Sequence, residues 1–300
     1  MNKKLMPLVI VLVVILGGLY WVFGMPLVGN PEIPTSAEAI ARGEYIYNAG
    51  GCGACHQPEG TEAPVGGYVI EVEEPFPNTF YTPNITPDEE TGIGGWTGKD
   101  FILALKHGRT PGGGFYWPSF PYRTYMNMTD EDVLDLAAYV MSMEPVRNEV
   151  PEHELPAWQF DFLMAGWNIL ADFMEGEPPA IEDDPQIQRG AYLARALGHC
   201  GECHTPRNSL GMMVMAEEFA GSDIVTAAID PEGLSSWTAY DFVGLLQLGM
   251  TASFDFVGGE MADVVEHTSK LSEEDQEAYA AFFTRGSTAG EGGGDDFNFD

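Results

Sequence analysis

The hydrophobic pattern divides the chain at about residue 30. From Leu5 to Val28 no position is charged, and a helix over Leu5–Met25 would reach about 32 Å at 1.5 Å per residue, against a hydrocarbon core of about 30 Å. The run closes on Tyr20-Trp21-Val22-Phe23, an interfacial aromatic pattern rather than the small residues of a signal cleavage site. Residues 1–30 are therefore expected to be an uncleaved membrane anchor, with a cleaved signal peptide as the alternative. Lys3 and Lys4 precede the span, so the positive-inside rule leaves the N-terminus in the cytoplasm and everything after Asn30 in the periplasm. The expected location is the cytoplasmic membrane.

Beyond residue 30 the pattern becomes helical and occurs twice. Val133, Leu136, Ala137 and Val140 line one helix face, preceded by the N-cap Thr129 with Asp132 three positions on. Ser272 and Asp275 repeat that start signal. The match extends backwards: Trp96, Asp100-Phe101 and Gly108 answer Trp237, Asp241-Phe242 and Gly249, and Arg42-Gly43-Glu44-Tyr45 answers Arg189-Gly190-Ala191-Tyr192. Such an ordered series reads as a duplicated domain. Each copy predicts a short helix, a long irregular stretch whose Gly and Pro argue against long strands, a helix near Lys99–His107 or Ala239–Leu248, and a final helix. The expected fold class is all-α, two tandem domains after an N-terminal transmembrane helix. Its expected bounds are an anchor over 1–30, domain one over 31–150, an aromatic packed connector over 151–180, domain two over 181–286 and a disordered acidic tail over 287–300.

Composition narrows the function. With 13 Lys+Arg against 46 Asp+Glu the net charge is −33, which repels phosphate and excludes nucleic acid as a partner. It favours a basic protein partner or a saline environment. With 45% apolar and 12% aromatic residues in 300, the chain has enough core for two folded domains.

The four cysteines form two identical motifs, Cys52-Gly53-Ala54-Cys55-His56 and Cys200-Gly201-Glu202-Cys203-His204. Thiols one helical turn apart suit thioether bonds to the two vinyl groups of one haem, and the following His suits its iron. A thioredoxin-like redox pair or a shared zinc fits Cys-x-x-Cys alone, but neither explains a His after both pairs. The cofactors expected are two covalently bound haem c. Cys52, Cys55, Cys200 and Cys203 are the attachments, and His56 and His204 the proximal iron ligands.

Position among the 14 methionines selects the sixth ligands. Met261, just ahead of the last helix, is favoured in domain two over Met212, Met213, Met215 and Met250. In domain one Met126 and Met128 both precede the last helix, whereas Met141 and Met143 read as core; Met128 is the first choice and Met126 the reserve. His107 and His267 are alternative distal ligands that also read as polar surface or helix-end groups. His199 reads as packing behind Cys200, and His153 carries no signal. Trp96 and Trp237 are either haem-pocket or core residues. Arg207 is either a propionate partner or a surface residue.

Asn84-Ile85-Thr86-Pro87-Asp88 with Gly94-Gly95-Trp96, Pro118-Ser119-Phe120-Pro121-Tyr122 leading to Met128-Thr129-Asp130-Glu131-Asp132, Gly198 through Asn208, and Leu163-Met164-Ala165-Gly166-Trp167 make residues 38–285 resemble a known family. It is the cytochrome c subunits of membrane-bound periplasmic dehydrogenases that oxidise alcohols, aldehydes or sugar acids. The resemblance implies an all-α pair of cytochrome c domains that pass electrons from a catalytic subunit towards quinone or a terminal oxidase, without a substrate of their own. It matches Met261 directly. For domain one, some members carry Met where this chain has Phe120 and others where it has Met128. The chain departs from the family in lacking a third Cys-x-x-Cys-His and in placing its expected anchor at the N-terminus. The expected function is a membrane-anchored diheme electron relay between a dehydrogenase subunit or carrier and a respiratory acceptor. The alternatives are a terminal-oxidase subunit and a peroxidase-like enzyme with an open haem.

Overall fold

The computed structural model describes residues 17, 18, 20, 22–72, 77–222 and 226–289. In the first half, α1 (Ala37–Ala49) starts where the Ser36 side chain accepts from the Ala39 amide, and the one-turn α2 (Cys52–His56) follows directly. A hairpin pairs β1 (Val69–Val72) with β2 (Asn78–Tyr81), Val69 opposite Tyr81. Then come α3 (Gly98–His107), α4 (Tyr122–Tyr125) and α5 (Asp130–Ser142). The connector contains α6 (Leu163–Met174). The second half has α7 (Pro185–Tyr192), which runs into a π-helical turn at Leu193–Leu197, then α8 (Gly201–His204), α9 (Ala239–Leu248), α10 (Glu260–Thr268) and α11 (Glu273–Phe283).

Local signals set these helices. Asp100 and Asp241 accept from the Thr97 and Thr238 amides at 2.8 and 2.9 Å, closing the start of α3 and α9. Both helices end at left-handed glycines, Gly108 and Gly249, which have no Cβ to clash there. Thr129 and Ser272 accept from the amides of Asp132 and Asp275, as the capping pattern predicts.

Each half is built on a helix pair in backbone contact. A Cβ on Gly43 of α1 would lie 1.9 Å from the Asp135 carbonyl oxygen of α5, and one on Gly190 of α7 would lie 1.9 Å from the Ala278 carbonyl oxygen of α11. One core runs through both halves, from Ile46, Leu136 and Val133 to Leu193, Leu245 and Phe283. The join is reciprocal. Tyr45 donates to Asp275 at 2.6 Å and accepts from the Ser272 amide at 3.1 Å, while Tyr192 donates to Asp132 and accepts from the Thr129 amide at 3.1 Å. Each half thus uses the same repeat tyrosine to cap the other's final helix.

Two expectations are corrected. The fold is helical but not all-α, because the β-branched Val69, Ile70 and Val72 form a short strand pair, the residue types a pleated surface favours. The N-terminal transmembrane helix, and the cytoplasmic-membrane location derived from it, are not supported: among the described residues no helix is long and apolar enough to cross a membrane. The helix through residues 22 and 23 stops at Gly24. Val22 packs beside Phe115 and Met164, and Arg109 donates to the Phe23 carbonyl at 3.0 Å, so the end of the apolar run lies on the folded protein. Residues 1–16, 19 and 21 of the expected anchor, and 290–300 of the expected tail, lie outside the described residues.

The connector is packed along one edge only. Met164, Ala165 and Ala171 are buried, whereas Phe160, Phe162 and Phe173 are exposed. Arg123 of α4 pairs with Asp172 and Glu175, and Trp167 donates to the Leu210 carbonyl at 3.0 Å, tying α6 to both halves.

Candidate haem-attachment sites

Each Cys-x-x-Cys-His motif forms a single helical turn, which brings its two sulfurs to one side and the His to the end. Burial pushes both Cys52 and Cys200 thiols up to about 12. A thioredoxin-like pair needs the opposite, a thiol shifted down towards the thiolate. Among the described residues no group of three or more His, Cys, Asp or Glu side chains is arranged to hold a metal ion, so the shared-zinc alternative finds no ligand set either.

The histidines are oriented identically. His56 Nδ1 lies 2.9 Å from the Pro83 carbonyl oxygen, and His204 Nδ1 lies 2.8 Å from that of Ala227. A carbonyl only accepts, so each Nδ1 donates and the lone pair sits on Nε2, the tautomer an iron ligand requires. Burial also lowers both pKa values, which favours the neutral, ligating form. The preceding residues, Thr82 and Thr226, donate through Oγ1 to the Cys55 and Cys203 carbonyls at 2.8 and 2.5 Å. These four residues escaped the sequence reading. Thr-Pro on one side and Thr-Ala on the other leave little trace when the functional atom is a backbone carbonyl.

The residue set fits covalent haem twice: two thiols on one turn, a neutral His held by its far nitrogen, and apolar surroundings. When bound, haem supplies a one-electron ferric/ferrous couple.

The candidate sixth ligands lie in different settings. Met128 is buried in the main core, 3% exposed, whereas Met126 is 43% exposed. Met261 lies on the first turn of α10. The charge of Glu260 beside it raises the pKa of both Cys55 and Cys203, after the larger effect of burial, so the start of α10 lies near both motifs. Counting from Gly108 and Gly249, Phe120 occupies the repeat position of Met261. Of the competitors, Met212 and Met213 are buried, while Met215 and Met250 are partly buried.

The remaining histidines separate. His107 is exposed at the end of α3. His267 is buried against motif one, its Cε1 3.0 Å from where a Gly53 Cβ would stand. His153 accepts from the Tyr81 amide, and His199 hydrogen bonds to the Gly50 carbonyl in the other half. Trp96 and Trp237 pack against the core, edge-on to Phe101 and Phe242. Arg207 pairs with Glu202 at 2.5 Å.

A cytochrome c family model matches residues 40–144. The chain is 39% identical over 280 residues to a diheme cytochrome c-type protein of Cereibacter sphaeroides, covering 87% of this chain and 90% of that one. It is 35% identical over 266 residues to the gluconate 2-dehydrogenase cytochrome c subunit of Pantoea cypripedii, covering 81% and 58%. To the fructose dehydrogenase cytochrome subunit of Gluconobacter japonicus it is 38% identical over 259 residues, covering 80% and 51%. It spans little more than half the length of these two subunits. With two motifs, a repeated fold and a diheme relative matched over nearly its whole length, the chain belongs to the diheme c-type cytochromes, electron-transfer proteins with two covalently bound haem c.

Proposed function

We propose that this protein relays single electrons from the catalytic subunit of a dehydrogenase to an oxidised acceptor. One haem is attached at Cys52 and Cys55 with His56 as proximal ligand, the other at Cys200 and Cys203 with His204. The observation that carries the reading is the matched pair of His Nδ1–carbonyl hydrogen bonds. The relatives named as gluconate and fructose dehydrogenase cytochrome subunits support the choice of donor. Domain bounds of 31–150 and 181–286, joined by 151–180, agree with this assignment, since each contains one motif and its helix pair.

Met261 is the sixth ligand proposed for the second haem and Met128 for the first. Phe120 has no donor atom at the repeat position of Met261, so a sulfur ligand for the first iron comes from another segment, and Met128 is the buried candidate for it. Met128→Leu and Met261→Leu are each expected to remove the weak near-infrared band of His/Met ligation from one haem, measured on the oxidised protein. The Phe120 position favours a second reading, an open first haem. Under it Met128→Leu leaves the band unchanged, and the reduced wild-type protein binds carbon monoxide at one haem.

A further inference from the structure

The two halves meet at several contacts beside the attachment motifs, and at one of them the repeat is broken. His199, bonded directly to Cys200, reaches the other half, where its Nε2 lies 3.2 Å from the carbonyl oxygen of Gly50, two residues before Cys52. The Tyr125 hydroxyl donates to the same oxygen at 3.3 Å, and its ring stands edge-on to the imidazole. The joint is close-packed: a Cβ on Gly50 would lie 3.5 Å from Cys52 Sγ and 3.6 Å from the Leu197 carbonyl oxygen of the second half.

Aligning the motifs on their first cysteines places His199 opposite Gly51. Both have left-handed backbone, φ 41° and 58°. Half one meets that geometry with glycine, which bears it without steric cost. Half two keeps a bulky L-residue there, against its conformational preference. Backbone in this region persists only where the surrounding structure holds it, and such positions cluster at functional sites. Gly51 has no side chain to make a return bond, so this contact is single while the Tyr45 and Tyr192 contacts are paired.

We propose that His199 is a positioning residue that fixes the separation of the two haem-attachment motifs and supplies the bonded path, Cys52–Gly51–Gly50···His199–Cys200, for electron exchange between them. This rests on the haem assignment above. The exchange moves one electron from a ferrous to a ferric centre, with no proton transferred and no bond broken.

The test compares His199→Phe, which keeps the ring but not the donor, His199→Gly, which restores the repeat's own residue, and His199→Gln, which keeps an N–H donor. Three quantities are read on the purified full-length cytochrome: haem content by mass, the magnetic interaction of the two ferric centres by electron paramagnetic resonance, and the rate of electron redistribution after pulse reduction. The Phe and Gly variants are expected to hold two haems, redistribute electrons more slowly and show an altered interaction, with Gln recovering much of both. Wild-type rate and interaction in the doubly loaded Phe and Gly variants overturn the proposal. If the Gly variant fails to mature, His199→Asn carries the same expectation, since Asn tolerates left-handed backbone but is shorter than imidazole. Failure of the haem assignment itself shows separately, as a wild-type protein without two haems.

Discussion

Asp275 receives both arms of Arg189, at 2.8 and 2.7 Å, and the hydroxyl of Tyr45 from the other half. Burial alone pushes its pKa up, but these hydrogen bonds and the Arg189 charge outweigh that and hold it below the usual carboxylate range. A folded pKa below the unfolded one means stability that is present above the unfolded value and is lost as pH falls through the folded value. Wild type should therefore melt above Asp275→Asn by a constant margin well above the ordinary Asp value of about 4, and the margin should shrink as pH falls below it. A margin independent of pH across that window contradicts the assignment. At this scale the sequence was half legible. The repeat exposed Arg42, Tyr45, Arg189 and Tyr192, but not their destinations. Arg42 pairs with Asp135, whose repeat counterpart is Ala278, so half two gives both Arg189 and Tyr45 the single carboxylate of Asp275. No spacing rule announces that substitution, nor the carbonyls of Pro83 and Ala227 that orient the two histidines.

Helices met at glycine are the working element of both halves. Gly43 and Gly190 let α1 lie against α5 and α7 against α11 with no side chain between the backbones. Gly43→Ala and Gly190→Ala should each destabilise the protein by about 1–3 kcal/mol or more, the usual cost of overpacking a closed core, read as a drop in unfolding midpoint. An unchanged midpoint would show that the pairs can spread. Capping patterns made the final helices readable in advance because their start signals are local. The helix α10 was missed: Gly258-Gly259 ahead of it reads as a loop, although Met261, Val264, Val265 and Thr268 follow helical spacing. The strand pair was missed too, since four-residue strands amid Gly and Pro fall below what periodicity resolves. Tertiary packing also claims the end of the apolar run, where Val22 and Phe23 lie against Phe115, Met164 and Arg109; hydropathy registers length and not neighbours.

Over the whole molecule the duplication produces two similar halves, one continuous core and a reciprocal tyrosine clasp, with His199 as one of its departures from symmetry. The net charge of −33 surrounds this assembly with a negative field. Electron exchange with a small basic carrier should fall about tenfold or more as salt rises, because steering is screened beyond the Debye length; a rate indifferent to salt would exclude electrostatic docking. The central claim is one haem per repeat, each attached at its own Cys-x-x-Cys-His. Intact-protein mass of the wild type and of the double variants Cys52→Ser/Cys55→Ser and Cys200→Ser/Cys203→Ser tests it most directly. The account predicts two covalent haems in the first and one in each variant, with the remaining haem keeping its own spectrum. A wild type with one haem, or a double variant that still holds two, would contradict it.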